Sequence, residues 1–336
     1  MPVLGLVVSL VGACSEAPST EPEVADLPSV RLAWLPHLAH APLAIALEEG
    51  YFEAEGLRIE TIQLGSRDAL VSLSQGRVDV TSPWLSVGLF NAIRTGEGIR
   101  IAADKAHIGE GCSPYSFLAR SDLLDEGALN SVKDVKGMTF EYPEGSIMAY
   151  AVASLLREAG LTQEDVRNVS IFGPAVIDAL QNGSIDIEPS TEPLQTVVIE
   201  SGVARIWKPF RDAVPGQQIS VIVFGSKIWK ENPDLGRKFM VAYLRGVRQY
   251  AEGKTNRNIE IISRFANLEP DLLRKACWAP IDANGQIDTE SVGRFQEWAY
   301  EEGLLEEVVP PETYWDDRFV RHASEELARR DSSKKP

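Results

Sequence analysis

One short stretch of this chain occurs twice, and the repeat limits the folds open to it. Leu73-Ser-Gln-Gly76-Arg-Val-Asp79-Val80 returns as Leu180-Gln-Asn-Gly183-Ser-Ile-Asp186-Ile187. Each copy reads as a helix end, a glycine stop, and a short strand with an aspartate before its last apolar residue. A proline-containing turn follows each, Ser82-Pro83-Trp84 in the first and Glu188-Pro189-Ser190-Thr191-Glu192-Pro193 in the second. Around the first copy the pattern predicts strands over 57–64, 78–82 and 99–103, with helices over 66–75 and 86–95. Around the second it predicts strands over 138–142, 169–171, 185–187 and 205–207, with helices over 147–159, 174–182 and 194–201. Such alternation builds mostly parallel sheets with covered faces. The expected architecture is α/β: two similar lobes, joined by crossing strands at 116–119 and 218–225, with a hinge and a cleft between them.

A length of 336 residues is too great for one ordinary core and agrees with two lobes. We place 29–118 and 222–328 in the first lobe and 119–221 in the second, with a mainly helical region after Ser226. Helices are expected over 233–250, 258–266 and 289–302, and an amphipathic piece around Trp315, Phe319 and Ala323. The last residues, 329–336, are expected to be a disordered tail. At the other end, Met1–Gly12 is almost wholly apolar and too short to span a membrane. Val11-Gly12-Ala13-Cys14 is similar to a bacterial lipobox, so 1–14 reads as a lipoprotein signal with Cys14 as the lipidated residue. Residues 15–28 are acidic and proline-rich, as suits a flexible tether. The expected location is exported, lipid-anchored at the cell membrane, and periplasmic or extracytoplasmic. That compartment permits a bridge between Cys112 and Cys277, but spacing alone cannot show that they approach, and two buried free thiols is the expectation.

A net charge of −16 argues against nucleic acid as a partner. The chain has no Gly-x-Ser-x-Gly elbow, no Walker loop, no Cys-x-x-Cys pair and no His-Glu-x-x-His. Its histidines are His37, His40, His107 and His322, and no third ligand stands beside the His37/His40 pair. Neither a catalytic constellation, a cofactor nor a metal is expected, and the chain does not read as an enzyme. The strand-end turns instead carry pocket-type residues. Trp34, His37, His40, Ser66, Arg67, Ser82 and Trp84 come from the first run, with Asp68 beside them. Tyr142, Glu144, Ser146, Glu188, Thr191 and Glu192 come from the second. Ligands bind outside the carboxyl ends of strands in open α/β sheets.

The stretch from Trp34 to Phe52 forms the first wall of this pocket. It runs from a strand over Val30–Leu35, through Pro36 and Pro42, into a helix with Leu43, Ala46 and Leu47 inward and Gly50 as its left-handed stop. Leu32-Ala-Trp34-Leu-Pro36, His40-Ala-Pro42, Gly50-Tyr51-Phe52 and Gly56-Leu57 resemble the N-terminal signature of substrate-binding proteins of ABC importers. The branch is the one covering nitrate, sulfonate, taurine and thiamine-pyrimidine precursors, and the pyrimidine-precursor members are the most similar. Gly76-Arg-Val-Asp79, Asp134-Val-Lys-Gly137, Tyr142-Pro143 and Ile185-Asp186 to Glu192 extend the likeness, which runs from about Val30 to Tyr250.

This resemblance implies a type II periplasmic-binding-protein fold and a monomeric receptor that hands a small molecule to an ABC permease and ATPase. It also implies that Glu192 stands at the carboxylate position of the pyrimidine-precursor members. Arg67 is the sole basic residue among the chosen turns, which favours a neutral or weakly basic ring over a bare anion. Trp34 and Trp84 are expected to stack on that ring. An aminopyrimidine is the first expectation and a flavin-like heterocycle the second. A sulfonate, taurine or nitrate receptor, or a pyrimidine-forming enzyme on the same fold, is the alternative, although the cysteine-rich iron motif of the enzymatic relatives is missing.

Overall fold

The computed structural model describes residues 27–333 apart from Glu97 and Phe172. Cys14 with its signal, and residues 15–26 of the tether, lie outside the described residues. The first sheet's run is β1 (Ser29–Trp34), α1 (Ala41–Glu48), α2 (Tyr51–Ala54), β2 (Arg58–Gln63), α3 (Ser66–Ser74), β3 (Val80–Thr81), α4 (Val87–Arg94) and β4 (Arg100–His107). The second follows as β5 (Tyr115–Arg120), α5 (Ser121–Asp125), β6 (Thr139–Glu141), α6 (Ile147–Arg157), β7 (Arg167–Val169), α7 (Ala175–Gln181), β8 (Ile187–Thr191), α8 (Leu194–Ser201) and β9 (Ala204–Pro209). The chain then returns through α9 (Phe210–Ala213) and β10 (Gln218–Phe224). It ends in α10 (Pro233–Ala251), α11 (Asn256–Ala266), α12 (Pro270–Lys275), α13 (Thr289–Glu301), α14 (Pro311–Tyr314) and α15 (Arg318–Ser333).

The strand orders are β2-β1-β3-β10-β4 and β7-β6-β8-β5-β9. In each sheet three parallel strands, β2-β1-β3 or β7-β6-β8, are extended by antiparallel pairs. β5 pairs only within the second sheet and β10 only within the first. The crossings expected inside these strands therefore fall in the connections before them, His107 to Tyr115 and Pro209 to Gln218. The strand expected at 169–171 forms earlier, at Arg167–Val169, where it pairs in register with Thr139–Glu141.

The repeated motif does the same job in both sheets. Asp79 Oδ2 accepts the Arg31 amide at 2.8 Å, and Asp186 Oδ2 accepts the Thr139 amide at 2.8 Å. The backbone returns the bond each time, Asp79 N to Arg31 O at 2.8 Å and Asp186 N to Thr139 O at 2.9 Å. An arginine completes each junction, Arg31 with Asp79 at 2.6 Å and Arg120 with Asp186 at 3.2 Å. An aspartate placed just before the strand's first residue thus clamps the neighbouring strand through its side chain as well as its backbone.

The C-terminal helices bind the sheets together. α10 lies on α1, and the approach is so close that a Cβ on Gly246 would meet the Pro42 carbonyl at 2.2 Å. From α13, Phe295 and Trp298 pack on Tyr150 of α6, with ring centroids 5.9 and 5.5 Å apart, so one apolar core runs between the sheets on that side.

Two expectations are corrected. Residues 329–333 are not a disordered tail but the last turn of α15. Arg330 pairs with Glu55 at 2.9 Å, Arg329 with Glu326 at 2.7 Å, and Asp331 with Arg248 at 3.1 Å. Arg329 pairs within α15, while Arg330 and Asp331 find partners across the helix packing that a linear reading does not bring together. Cys112 and Cys277 are not free thiols but a disulfide with Cα atoms 5.9 Å apart. A separation of 165 residues hid the contact. Cys112 sits on the first crossing and Cys277 just beyond α12.

Candidate ligand-binding cleft

β1 lies between β2 and β3, so the turns leaving β1 and β3 diverge at a topological switch point, where α/β folds take their ligands. A cavity opens there. His37, Leu38, Ala39 and Trp84 line it from the first sheet, Pro114 and Tyr115 from the first crossing, and Thr191 and Glu192 from the second sheet. Tyr250, Cys277 and Ala279 close it from the C-terminal region. The cavity is narrow, with a volume of about 20 Å³. The walls stand close together, and a ring-sized solute needs them to separate.

Aromatic surface dominates the walls. Trp84 and Tyr115 meet edge to face at 6.3 Å, and Tyr250 stacks on Trp278 at 5.1 Å. Burial raises the Tyr115 and Tyr250 phenols far above the ordinary range, so both stay neutral, and Tyr250 donates to the Ala279 carbonyl at 3.0 Å. His37 Nδ1 accepts the Ala39 amide at 3.2 Å, capping the short 3-10 turn Leu38–His40. The proton of the neutral ring is thereby assigned to Nε2. Burial, with help from the Lys105 charge, lowers His37 to about 4. His40 is pushed well down by burial, then by Lys105 and His37.

The Glu192 carboxylate is already engaged. Oε1 accepts the Cys277 amide at 3.0 Å, and Oε2 accepts the Thr196 amide at 3.1 Å, in the first turn of α8. The Thr196 hydroxyl lies 2.8 Å from Oε2.

The remaining sequence-selected residues divide among other places. Trp34 is buried with its ring 4.3 Å from Phe265 and edge-on to His40, on the α1/α11 side rather than in the cleft. Ser66, Arg67, Glu144 and Ser146 line a separate groove between α3, α4 and the turn after β6. Tyr142 faces another hollow with Trp298, again beside Glu144. Ser82 is buried next to the cleft, its hydroxyl unpartnered and its carbonyl accepting Lys105 Nζ at 2.9 Å. Glu188 is buried against Glu141 in the second sheet. So the structure brings His37, Trp84, Thr191 and Glu192 together and disperses the others. Sequence reading missed Tyr115 and Tyr250, which sit inside apolar strand or helix patterns that read as plain core. Cys277 could have been found only from its bridge.

Among solved structures, the alkanesulfonate-binding protein SsuA from Xanthomonas axonopodis pv. citri, bound to MOPS, has a TM-score of 0.70 at 16% identity, covering 88% of this chain and 99% of its own. The ligand-binding component of an ABC-type import system from Staphylococcus aureus, with zinc bound, reaches 0.72 at 13% identity with the same coverage. These likenesses establish the type II periplasmic-binding-protein fold. In sequence, the riboflavin-binding protein RibY of Chloroflexus aurantiacus is 24% identical over 267 residues, 72% of this chain and 71% of that one. The yeast 4-amino-5-hydroxymethyl-2-methylpyrimidine phosphate synthase THI13 (Saccharomyces cerevisiae) is 23% identical over 224 residues, 63% of each chain. No helix among the described residues is long and apolar enough to cross a membrane. Residues 37–253, more than half of the chain, match the family described as NMT1/THI5 like, and the chain belongs to that family.

Proposed function

We propose that this protein is an extracytoplasmic solute receptor that captures a small heterocycle between its two sheets and delivers it to an ABC permease. The observation that carries the reading is the cavity at the β1/β3 switch point, bounded by both sheets and walled by Trp84, Tyr115 and Tyr250. Flat aromatic rings beside one neutral imidazole suit a planar, largely uncharged ring system. The name of the riboflavin-binding relative supports the same class. An aminopyrimidine held by Glu192 is the weaker candidate, because the Glu192 carboxylate already accepts from Cys277 and Thr196. A flavin-like heterocycle therefore takes first place. Ligand bridging the sheets stabilises the closed form through its higher affinity for that form than for the open one. The protein acts as a monomer, without bond chemistry of its own, tethered through lipidated Cys14.

The test is a thermal-shift screen with riboflavin, 4-amino-5-hydroxymethyl-2-methylpyrimidine, taurine and nitrate. Riboflavin at a hundredfold excess over its dissociation constant should stabilise the protein by about 2.7 kcal/mol. Stabilisation by taurine or nitrate alone, unaffected by Trp84→Ala, rejects the heterocycle reading. Acyl-free Cys14 in protein recovered from membranes rejects the anchor.

A further inference from the structure

Lys105 belongs to β4, which runs parallel to β1 and β3 and ends on the same side of the sheet. The residue is 1% exposed. Among the described residues its Nζ makes one hydrogen bond, to the Ser82 carbonyl at 2.9 Å. An ammonium carries three donors, so two remain unused. Among the described residues no carboxylate pairs with it. Its neighbour Asp104 spends its oxygens on Gln218 Nε2 at 2.6 Å, His107 Nδ1 at 2.7 Å and the Asp282 amide at 2.7 Å. Two further buried polar atoms lie close by without partners, Ser82 Oγ and His40 Nδ1. The first belongs to the residue that holds Nζ, and the second to the turn packed over β4.

A buried ammonium without a counter-ion is strongly unfavourable in a closed protein interior. Lys105 accordingly loses proton affinity to about 7, and its charge depresses both His37 and His40. His37 lines the cavity and Ser82 opens the turn that carries Trp84, so Lys105 stands directly behind the cleft wall.

We infer that Lys105 is a specificity-determining residue of the cleft: the bound solute turns an electron-rich oxygen edge, either ring carbonyls or an anionic oxygen, toward Lys105 Nζ, with the Ser82 hydroxyl as a second donor. The inference rests on the receptor reading and narrows it. A solute of this kind supplies the acceptors that the unused donors lack. A ring bearing amino groups and aromatic nitrogens offers only neutral acceptors with one lone pair each, a poorer match to a cation than a carbonyl or anionic oxygen edge. The charge also accounts for a fold that keeps a lysine at a site where leucine or methionine would pack.

The test compares the wild-type chain with Lys105→Met, with Lys105→Gln as a second variant should the first fail to fold. Calorimetry is run with riboflavin and taurine as oxygen-edged probes and with 4-amino-5-hydroxymethyl-2-methylpyrimidine as the amino-bearing one. Thermal unfolding is followed in sulfate against chloride at equal ionic strength. The substitution should weaken whichever oxygen-edged probe the wild type binds by about tenfold or more. It should leave the pyrimidine within about twofold, abolish any stabilisation specific to sulfate, and raise the unfolding temperature of the empty protein. Equal losses for all probes together with a lower unfolding temperature would make Lys105 a packing residue and overturn the inference. So would unchanged affinities. If the wild type binds none of the three solutes, the receptor reading fails for them, and the sulfate arm decides Lys105 separately: no difference between wild type and variant overturns it.

Discussion

Glu192 and Cys277 are joined across the cleft: the carboxylate at the end of the second sheet accepts the Cys277 amide, Oε1 to N, at 3.0 Å. Cys277 is in turn bonded to Cys112 on the first crossing, and Gln195 Nε2 donates to the Ser113 carbonyl at 2.8 Å. Three segments distant in sequence therefore meet at one edge of the cavity. Glu192→Gln keeps the shape but weakens the charged acceptor at α8 and at the Cys277 amide. We expect a loss of roughly 1–3 kcal/mol in urea unfolding, with riboflavin affinity changed less than about twofold. Unchanged stability with selective loss of pyrimidine binding would instead place the carboxylate on the ligand.

The disulfide closes a loop that contains the whole second sheet. Its removal by Cys277→Ser, or by reduction, should cost about 2–5 kcal/mol. Chemical denaturation with and without reductant measures this. No change in midpoint on reduction would show that the thiols are not bridged in solution.

The two tryptophans singled out in the sequence should part company. Trp34 packs on Phe265 away from the cavity, so Trp34→Ala should cost about 3–5 kcal/mol of stability and spare the affinity of the folded protein. Trp84 lines the cavity beside Tyr115. Trp84→Ala should cost roughly 2 kcal/mol or more in heterocycle affinity, as truncation of a central aromatic contact does. Calorimetry alongside urea unfolding separates the two effects, and the reverse pattern would relocate the pocket.

A pH signature comes from the buried carboxyl pair. Burial raises Glu141 to about 6 and, with the Glu141 charge added, raises Glu188 well above its usual range. The folded protein holds more protons on this pair than the unfolded chain, so the pair's contribution to stability falls as pH rises from about 4.5 past 6. His37 and His40 act in the opposite sense: their folded values lie below 6.5, so the unfolded chain binds more protons there and stability gains as pH rises. The difference between Glu188→Gln and wild type isolates the carboxyl term. That variant should become relatively more stable as pH increases through this window, and a flat difference in urea midpoints would contradict the pairing.

Much of the frame was legible because period and punctuation act locally. The helix over Leu194–Ser201 appears with the expected bounds, and Gly50 adopts the left-handed φ of 67° required of a helix stop. The repeat announced two sheets because Asp79 and Asp186 do the same local work. The site was less legible, since a pocket is made by residues brought together across long separations. Tyr250 sits in a helix whose apolar stripe looks like core throughout, and Lys105 interrupts a buried strand without any local sign of what it faces. Conversely Trp34, at a strand end, carried every local mark of a ligand contact, yet α11 covers it.

The paired aspartate junctions separate the part of each half that must persist from the part that can drift. Each clamp is complete before the chain reaches its cleft-lining residues, Trp84 past β3 in one half and Thr191 with Glu192 at the far end of β8 in the other. Substitutions beyond the clamp alter what the turns touch without loosening the strands that hold them. A repeated unit built this way can vary its solute contacts one half at a time, because the residues that anchor each half are not the residues that touch the cleft.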